Sequence, residues 1–321
     1  MEMRSLGHSD LAVSLTGMGV SNFGMRDDID PMRLVGVALD AGVNFFDTAD
    51  VYADGRSEEL LGRALAHRRD EAVIATKWGG LIKGQPVPRG GGSKAFIVAA
   101  CEASLRRLGT AYIDLYQFHH PDPETPIAET LQTCAELVAA GKIRHVGVSN
   151  MPAHKIIEAQ RIARELELPK FISCQEQYSL LVRDGFEGDK AAAAECGGLG
   201  LLPFFPLASG LLTGKYQQGK AYPEDSRFAK IPNKYESFRS ERNWRVAAEL
   251  GWFAREHGHS LLELAFSWLK SNPLVSSIIA GASRPQQIVD NVAATNWALG
   301  PEQLAEIDRI TLSCDGPAGE G

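Results

Sequence analysis

The segment Gly42–Leu65, GVNFFDTADVYADGRSEELLGRAL, holds one structural unit. Val43–Phe46 is a short apolar run between Gly42 and Asp47, the pattern of a strand covered on both faces. Ser57 stands where a helix could be capped, and Leu60, Leu61, Ala64 and Leu65 follow at the spacing of one apolar helix face. Strand, polar loop and amphipathic helix thus follow in order.

The same unit recurs outward in both directions. Apolar runs stand at Ala72–Thr76, Ile113–Phe118, Ile143–Val148, Phe171–Cys174, Leu199–Phe205 and Val275–Ile279, with Leu15–Val20 a weaker eighth. Ser93 opens a helical stretch carrying Phe96, Ile97, Ala100, Leu105 and Leu108, and Gly109 sits where it would end. Further helices are expected over Pro31–Ala41, Pro126–Ala140, Pro152–Leu166, Leu261–Ser271 and Pro285–Trp297, several opening on proline, which suits the first turn. Eight strands, most followed by a helix, predict an α/β fold, a (β/α)8 TIM barrel. The 321 residues are then a single domain, although length alone at about 150 residues per domain suggests two. Met3–Leu6 and Ala12–Ser14 read as a hairpin over one end of the barrel. The polar segment 210–242 carries Gly214, Gly219, Pro223 and Pro232 and reads as a lid or binding loop.

Composition narrows the function. Hydrophobic residues at 44% and charged residues at 23% fit a folded globular chain. Asp plus Glu exceeds Lys plus Arg, 40 to 33, so the net charge of −7 argues against nucleic-acid binding through phosphate neutralisation. The five cysteines are odd in number and form no CxxC, which disfavours a disulfide framework or structural zinc and fits a reducing cytoplasm. Met1–Asp10 lacks an apolar signal core, and the uncharged run Cys196–Gly214 is broken by Pro203, Pro206 and five glycines. A soluble, cytoplasmic chain without membrane or nucleic-acid partners is expected.

A barrel of this kind carries its active site at the C-terminal ends of the strands. Those ends present Asp47 and, five residues on, Tyr52; then Lys77, His119 with His120, Ser149 with Asn150, Gln175 and Phe205. Asp, Tyr, Lys and His together suit proton donation by a phenol. A free tyrosine, with a pKa of about 10, is a sluggish acid. A lysine ammonium favours the phenolate, an aspartate keeps the lysine charged, and a neutral histidine can orient a carbonyl. Such an acid contributes on the order of 10²–10⁴ in rate. Singly, Asp47 could cap a turn, Lys77 could end a strand in solvent, and His119 could be a core histidine. Their order and spacing together point to a reaction centre.

The Gly42–Leu65 block resembles the aldo-keto reductase superfamily signature. So do ATKWG (Ala75–Gly79), YIDLYQFHHPD (Tyr112–Asp122), GKIRHVGVSN (Gly141–Asn150) and GASRPQQIVDN (Gly281–Asn291). The resemblance implies a barrel that binds a nicotinamide cofactor without a Rossmann fold and reduces aldehydes or ketones, sugar-derived ones included. By motif, Asp47, Tyr52, Lys77 and His119 match the catalytic set, with Tyr52 giving the proton. Ser149, Asn150 and Gln175 match contacts to the carboxamide, and Phe205 matches the aromatic stacked on the nicotinamide. Leu207, Ser209, Gly210, Leu211 and Lys215 match the loop along the pyrophosphate. Ser283, Arg284, Gln287, Asp290 and Asn291 match the block at the adenosine end, where Arg284 at a helix start suits a 2′-phosphate and NADP(H) over NAD(H). Phe23 and Trp78 are expected as pocket walls, and His120 receives no role. The expected partner is a small carbonyl or alcohol substrate.

Other patterns carry less. GMGVSNFG (Gly17–Gly24) has Asn22 where a dinucleotide fingerprint needs its third glycine. GKYQQGKA (Gly214–Ala221) has Ala221 where a P-loop needs Ser or Thr. His257 and His259 lie two apart and do not share a helix face, so no metal site is expected. RGGGSK (Arg89–Lys94) reads as a flexible loop. Two alternatives to the reductase stand: a non-catalytic NADPH-binding partner protein on the same scaffold, and a Schiff-base lyase using Lys77.

Overall fold

The computed structural model describes residues 1–80, 91–231 and 235–312. A hairpin of β1 (Met3–Ser5) and β2 (Ala12–Ser14) precedes eight parallel strands. These are β3 (Thr16–Gly19), β4 (Phe45–Asp47), β5 (Val73–Trp78), β6 (Ile113–Phe118), β7 (Ile143–Ser149), β8 (Phe171–Gln177), β9 (Gly200–Phe204) and β10 (Ile278–Gly281). Each pairs with the next, β10 pairs with β3, and a parallel bridge between Leu201 and Val275 brings the last edges together. The sheet is a (β/α)8 barrel.

Around it run α1 (Pro31–Asp40), α2 (Arg56–Leu65), α3 (Lys94–Leu108), α4 (Ile127–Ala139), α5 (Ala153–Glu165) and α6 (Asp189–Gly197). The short α7 (Arg227–Lys230) lies in the irregular segment, followed by α8 (Glu241–Glu256), α9 (Leu261–Ser271), α10 (Pro285–Ala293) and α11 (Pro301–Leu312). None is long and apolar enough to cross a membrane.

Alternation along the strands divides the core in two. Phe45, Val73, Ala75, Leu115, Leu202 and Ile279 face the barrel axis and pack with Leu6, Leu11 and Val13 of the hairpin region. The hairpin therefore plugs the N-terminal end, and full burial of Leu6 alone contributes about 2 kcal/mol. Gly7, at φ 56, lies so close to the strand starts that a Cβ would sit 2.3 Å from the Ile172 carbonyl oxygen. Outward-facing residues form the larger core against the helices. The same alternation places Lys77 on the face of Val73 and Ala75, and Gln117 on the face of Leu115, so polar groups cap the inner column at its C-terminal end.

Several expectations need correction. Ser57 does not cap α2: Gly55, at φ 86, takes that position, and the buried Ser57 hydroxyl donates to the Val20 carbonyl at 2.8 Å. Pro126 and Pro152 stand one residue before their helices, and α10 stops at Ala293. The end of the RGGGSK stretch is pinned: Gly92 N–H donates to Asp122 at 2.9 Å, and Thr130 and Trp78 donate to the Gly92 and Gly91 carbonyls. Its first residues, like Pro232 and Cys314, fall outside the described residues. Cys101, Cys134 and Cys174 are buried and Cys196 exposed, all as free thiols.

Candidate active site

Asp47 closes β4 in register with Ala75 of β5, and Lys77, two residues farther along the same face, meets it at the barrel mouth. Lys77 is fully buried, and its ammonium donates 2.7 Å bonds to Asp47 Oδ1 and to the Thr48 carbonyl. The other Asp47 oxygen accepts from Gln175 Nε2 at 2.7 Å and from Gln117 Nε2 at 3.2 Å. Burial opposes the charge on Lys77, yet Asp47 and Tyr52 outweigh it and hold the ammonium above its ordinary pKa. Both carboxylate oxygens of Asp47 are thereby occupied by donors.

Tyr52 lies on a single helical turn in which Ala53 and Asp54 adopt left-handed φ of 50° and 55°. The kink turns the phenol back over the strand ends, with Lys77 Nζ 5.1 Å from the ring centroid. Here the structure corrects one expectation. Burial raises the Tyr52 pKa, and the opposing pull of Lys77 does not cancel it. The resting phenol is therefore protonated. His119 follows β6, with its ring edge-on to Tyr52 at 6.1 Å. Burial, Lys77 and His120 push its pKa well below the ordinary histidine value, so the ring is neutral. Its buried Nδ1 has no hydrogen-bond partner among the described residues. His120 stacks on His119 at 4.8 Å.

The remaining expected residues stand at the ends of β7, β8, β9 and β10, successive strands whose ends trace a path around the mouth. Ser149 Oγ donates to the Gln175 carbonyl at 2.8 Å, while Asn150, at φ 55, donates from Nδ2 to the His119 carbonyl and to Ser149 Oγ. Gln175 donates one amide N–H to Asp47. Past β9, Phe205, Ala208 and Ser209 all have positive φ, and Gly210 follows at 98°. Non-glycine residues keep such φ values only where their surroundings hold them. Ser209 Oγ is buried without a partner among the described residues. Leu207 is half-buried, and Leu211 packs into the core, leaving only its backbone to the path. Lys215 lies against Gly210, where a Cβ would meet its ammonium at 3.0 Å.

At the far end, Gln287 Oε1 accepts from the N–H groups of Ser283 and Arg284 and fixes the start of α10. Arg284 is exposed, with Asp225 3.5 Å away. Asp290 accepts from Gln286, and Asn291 is buried beside Met18 and Ile288. Trp78 and Phe23 are not pocket walls. Trp78 is fully buried on the outward face of β5, stacked on Phe118 at 5.1 Å, and Phe23 is fully enclosed in the outer core.

Three residues were missed. Gln117 was readable as a polar residue on the inward face of an apolar strand. Asp50, beside the centre, has a buried carboxylate oxygen without a partner among the described residues. Arg227 carries no local signal, since only tertiary structure brings α7 to the path. There it sits 6.0 Å from the Phe205 ring. Burial, Arg227 and Arg284 together lower the Lys215 pKa, the mark of converging like charges. Among the described residues neither Lys215 nor Arg227 has a carboxylate partner, so this cluster fits a phosphate-bearing ligand. Lys230 pairs with Asp28 at 3.2 Å and Asp225 with Arg284, which ties this part of the irregular segment to the turns after the neighbouring strands β3 and β10.

Comparison with known proteins agrees with this geometry. The sequence profile of the aldo/keto reductase family matches residues 17–311. A probable voltage-gated potassium channel subunit beta from Oryza sativa subsp. japonica is 39% identical over 98% of this chain and 97% of that protein. One from Arabidopsis thaliana is also 39% identical, over 98% and 97%. An L-glyceraldehyde 3-phosphate reductase from Escherichia coli is 35% identical over 96% of this chain and 92% of its own length. The chain belongs to the aldo/keto reductase family.

Proposed function

We propose that the chain reduces aldehydes and ketones to alcohols with NADPH, sugar-derived aldehydes among its substrates. The observation that carries this reading is the buried Lys77, held charged by Asp47 and set beneath a protonated Tyr52. A bound nicotinamide nucleotide would supply the hydride to the carbonyl carbon. Tyr52 gives its proton to the carbonyl oxygen, and the Lys77 ammonium stabilises the phenolate left behind. Asp47, fixed by Gln117 and Gln175, keeps that ammonium in place. Neutral His119 can offer a ring N–H to the same oxygen without competing for the proton.

Ser149, Asn150 and Phe205 would hold the nicotinamide end, and Lys215, Arg227 and Arg284 the phosphates. Three converging cations favour a nucleotide with an extra phosphate, which supports NADPH over NADH. The L-glyceraldehyde 3-phosphate reductase relative supports a small sugar-derived aldehyde. The test is a panel of aldehydes, ketones and sugar phosphates assayed with both nucleotides. Turnover with NADPH on at least one short hydroxyaldehyde is expected.

The channel-subunit relatives favour a second reading, in which the chain binds NADP(H) and serves as a partner protein. Tight nucleotide binding without turnover on that panel would select it. A Schiff-base lyase is disfavoured, because an ammonium bonded to Asp47 and Thr48 and held protonated is no nucleophile.

A further inference from the structure

Three consecutive residues in the turn that carries Tyr52 are left-handed: Ala53 at φ 50, Asp54 at φ 55 and Gly55 at φ 86. Ala53 and Asp54 keep such angles only where their surroundings hold them. Part of that hold comes from α3. Gly55 is buried, and a Cβ there would lie 2.6 Å from Arg107 Cδ and 2.7 Å from its Nε, so the Arg107 side chain packs directly on the turn. Arg107 is fixed in that position by Glu58, in the first turn of α2, whose Oε2 accepts from Arg107 Nε at 2.6 Å. Glu58 is fully buried, and its Oε1 accepts from Thr76 Oγ1 at 2.6 Å. Thr76 directly precedes Lys77 in β5. One carboxylate thus ties the strand of Lys77 to the arginine behind the turn of Tyr52.

We propose that the Glu58–Arg107 pair sets the spacing between the proton donor and its lysine, bracing the left-handed Tyr52–Gly55 turn against β5 so that the phenol stays over Lys77. This rests on the reading of Tyr52 as the proton donor. A buried ion pair often adds little net stability over apolar side chains of the same volume, and a geometric role accounts for its presence. Without the pair the turn relaxes toward ordinary φ values, and Tyr52 leaves the place where Lys77 Nζ lies 5.1 Å from its ring centroid. The residues that would hold the nucleotide stand after β7, β9 and β10, whereas the pair lies behind β4 and β5. Nucleotide affinity therefore does not depend on it. Glu58 and Arg107 act through the turn and are positioning residues.

The test measures three things in the full chain and its variants: kcat for NADPH oxidation with glyceraldehyde, the NADPH dissociation constant, and hydrogen exchange in the peptide spanning residues 50–58. Arg107→Met should lower kcat about 10–100-fold, the effect of misplacing a reacting group by about 1 Å. It should also speed exchange in that peptide and leave the dissociation constant unchanged. Should Arg107→Met fail to fold, Glu58→Met combined with Arg107→Met leaves no lone buried carboxylate and should give the same three results. Arg107→Lys, which keeps a cation for Glu58, should retain most of the rate. In a Tyr52→Phe background, Arg107→Met should cost nothing further, because the pair acts through Tyr52. An equal further loss there, or weakened NADPH binding, would overturn the proposal, since a general structural role would produce it. Unchanged kcat and exchange in the Arg107→Met proteins, beside a large loss in Tyr52→Phe, would overturn the proposal and leave the proton-donor reading standing. A parent chain without turnover, or a Tyr52→Phe protein that keeps the parent's rate, would overturn that reading and the proposal with it.

Discussion

Asp50 should cost this protein stability above neutral pH, and Asp50→Asn should return it. Its carboxylate lies beside the Glu58 carboxylate, itself fully buried and bonded by Thr76 and Arg107, each at 2.6 Å. Burial first and Glu58 second push the Asp50 pKa from 3.8 up to about 7, against the pull of Arg107 and Lys77. The unfolded chain ionises this group near pH 4, while the native protein holds its proton until about pH 7. Stability is therefore lost as pH rises between those values and levels off above them. A difference of that size corresponds to about 4 kcal/mol, reduced to about 2–4 kcal/mol by the solvent the side chain still touches. Asparagine keeps the shape and cannot ionise. Urea unfolding followed by tryptophan fluorescence, at pH 5 and pH 8, gives the stability of both proteins. The gain from Asp50→Asn should be larger at pH 8, by about 2 kcal/mol, with the denaturant slope unchanged. An equal effect at the two pH values would refute the reasoning, because no proton uptake would then separate the native and unfolded states.

Lys77→Met should leave Asp47 buried with only its two glutamine donors. It is expected to lose about 3 kcal/mol of stability and at least about 100-fold in carbonyl reduction, checked by urea unfolding and NADPH oxidation. Arg227→Ala should weaken NADPH about tenfold and NADH far less, since the guanidinium would serve the additional phosphate. Fluorescence titration with both nucleotides measures that ratio, and equal losses would remove Arg227 from the phosphate site.

Much of this was legible in the sequence because strands of a parallel barrel announce themselves as short apolar runs. The turn after each run then fixes what the mouth presents. Asp47, Lys77, His119, Ser149 and Gln175 each sit within two residues of a strand end, so locating the strand located the residue. The failures are those of local reading. Ser57 looks like a helix cap, but Thr48 and Val20 claim its hydroxyl from other strand ends. Trp78 follows Lys77 in sequence, yet alternation turns it to the opposite face, into the outer core. The raised pKa of Tyr52 depends on how much of the mouth covers it, which no spacing records. Arg227 comes near Lys215 only through the packing of an irregular segment, with Phe228 stacked on Tyr216 at 4.3 Å.

The central claim is that Tyr52 gives the proton in a carbonyl reduction. Steady-state oxidation of NADPH with a short hydroxyaldehyde, compared between the parent chain and Tyr52→Phe, tests it directly. The account predicts turnover by the parent and a loss of about 10²–10⁴-fold in the variant, with NADPH bound as tightly as before. A Tyr52→Phe protein that keeps the parent's rate would contradict it.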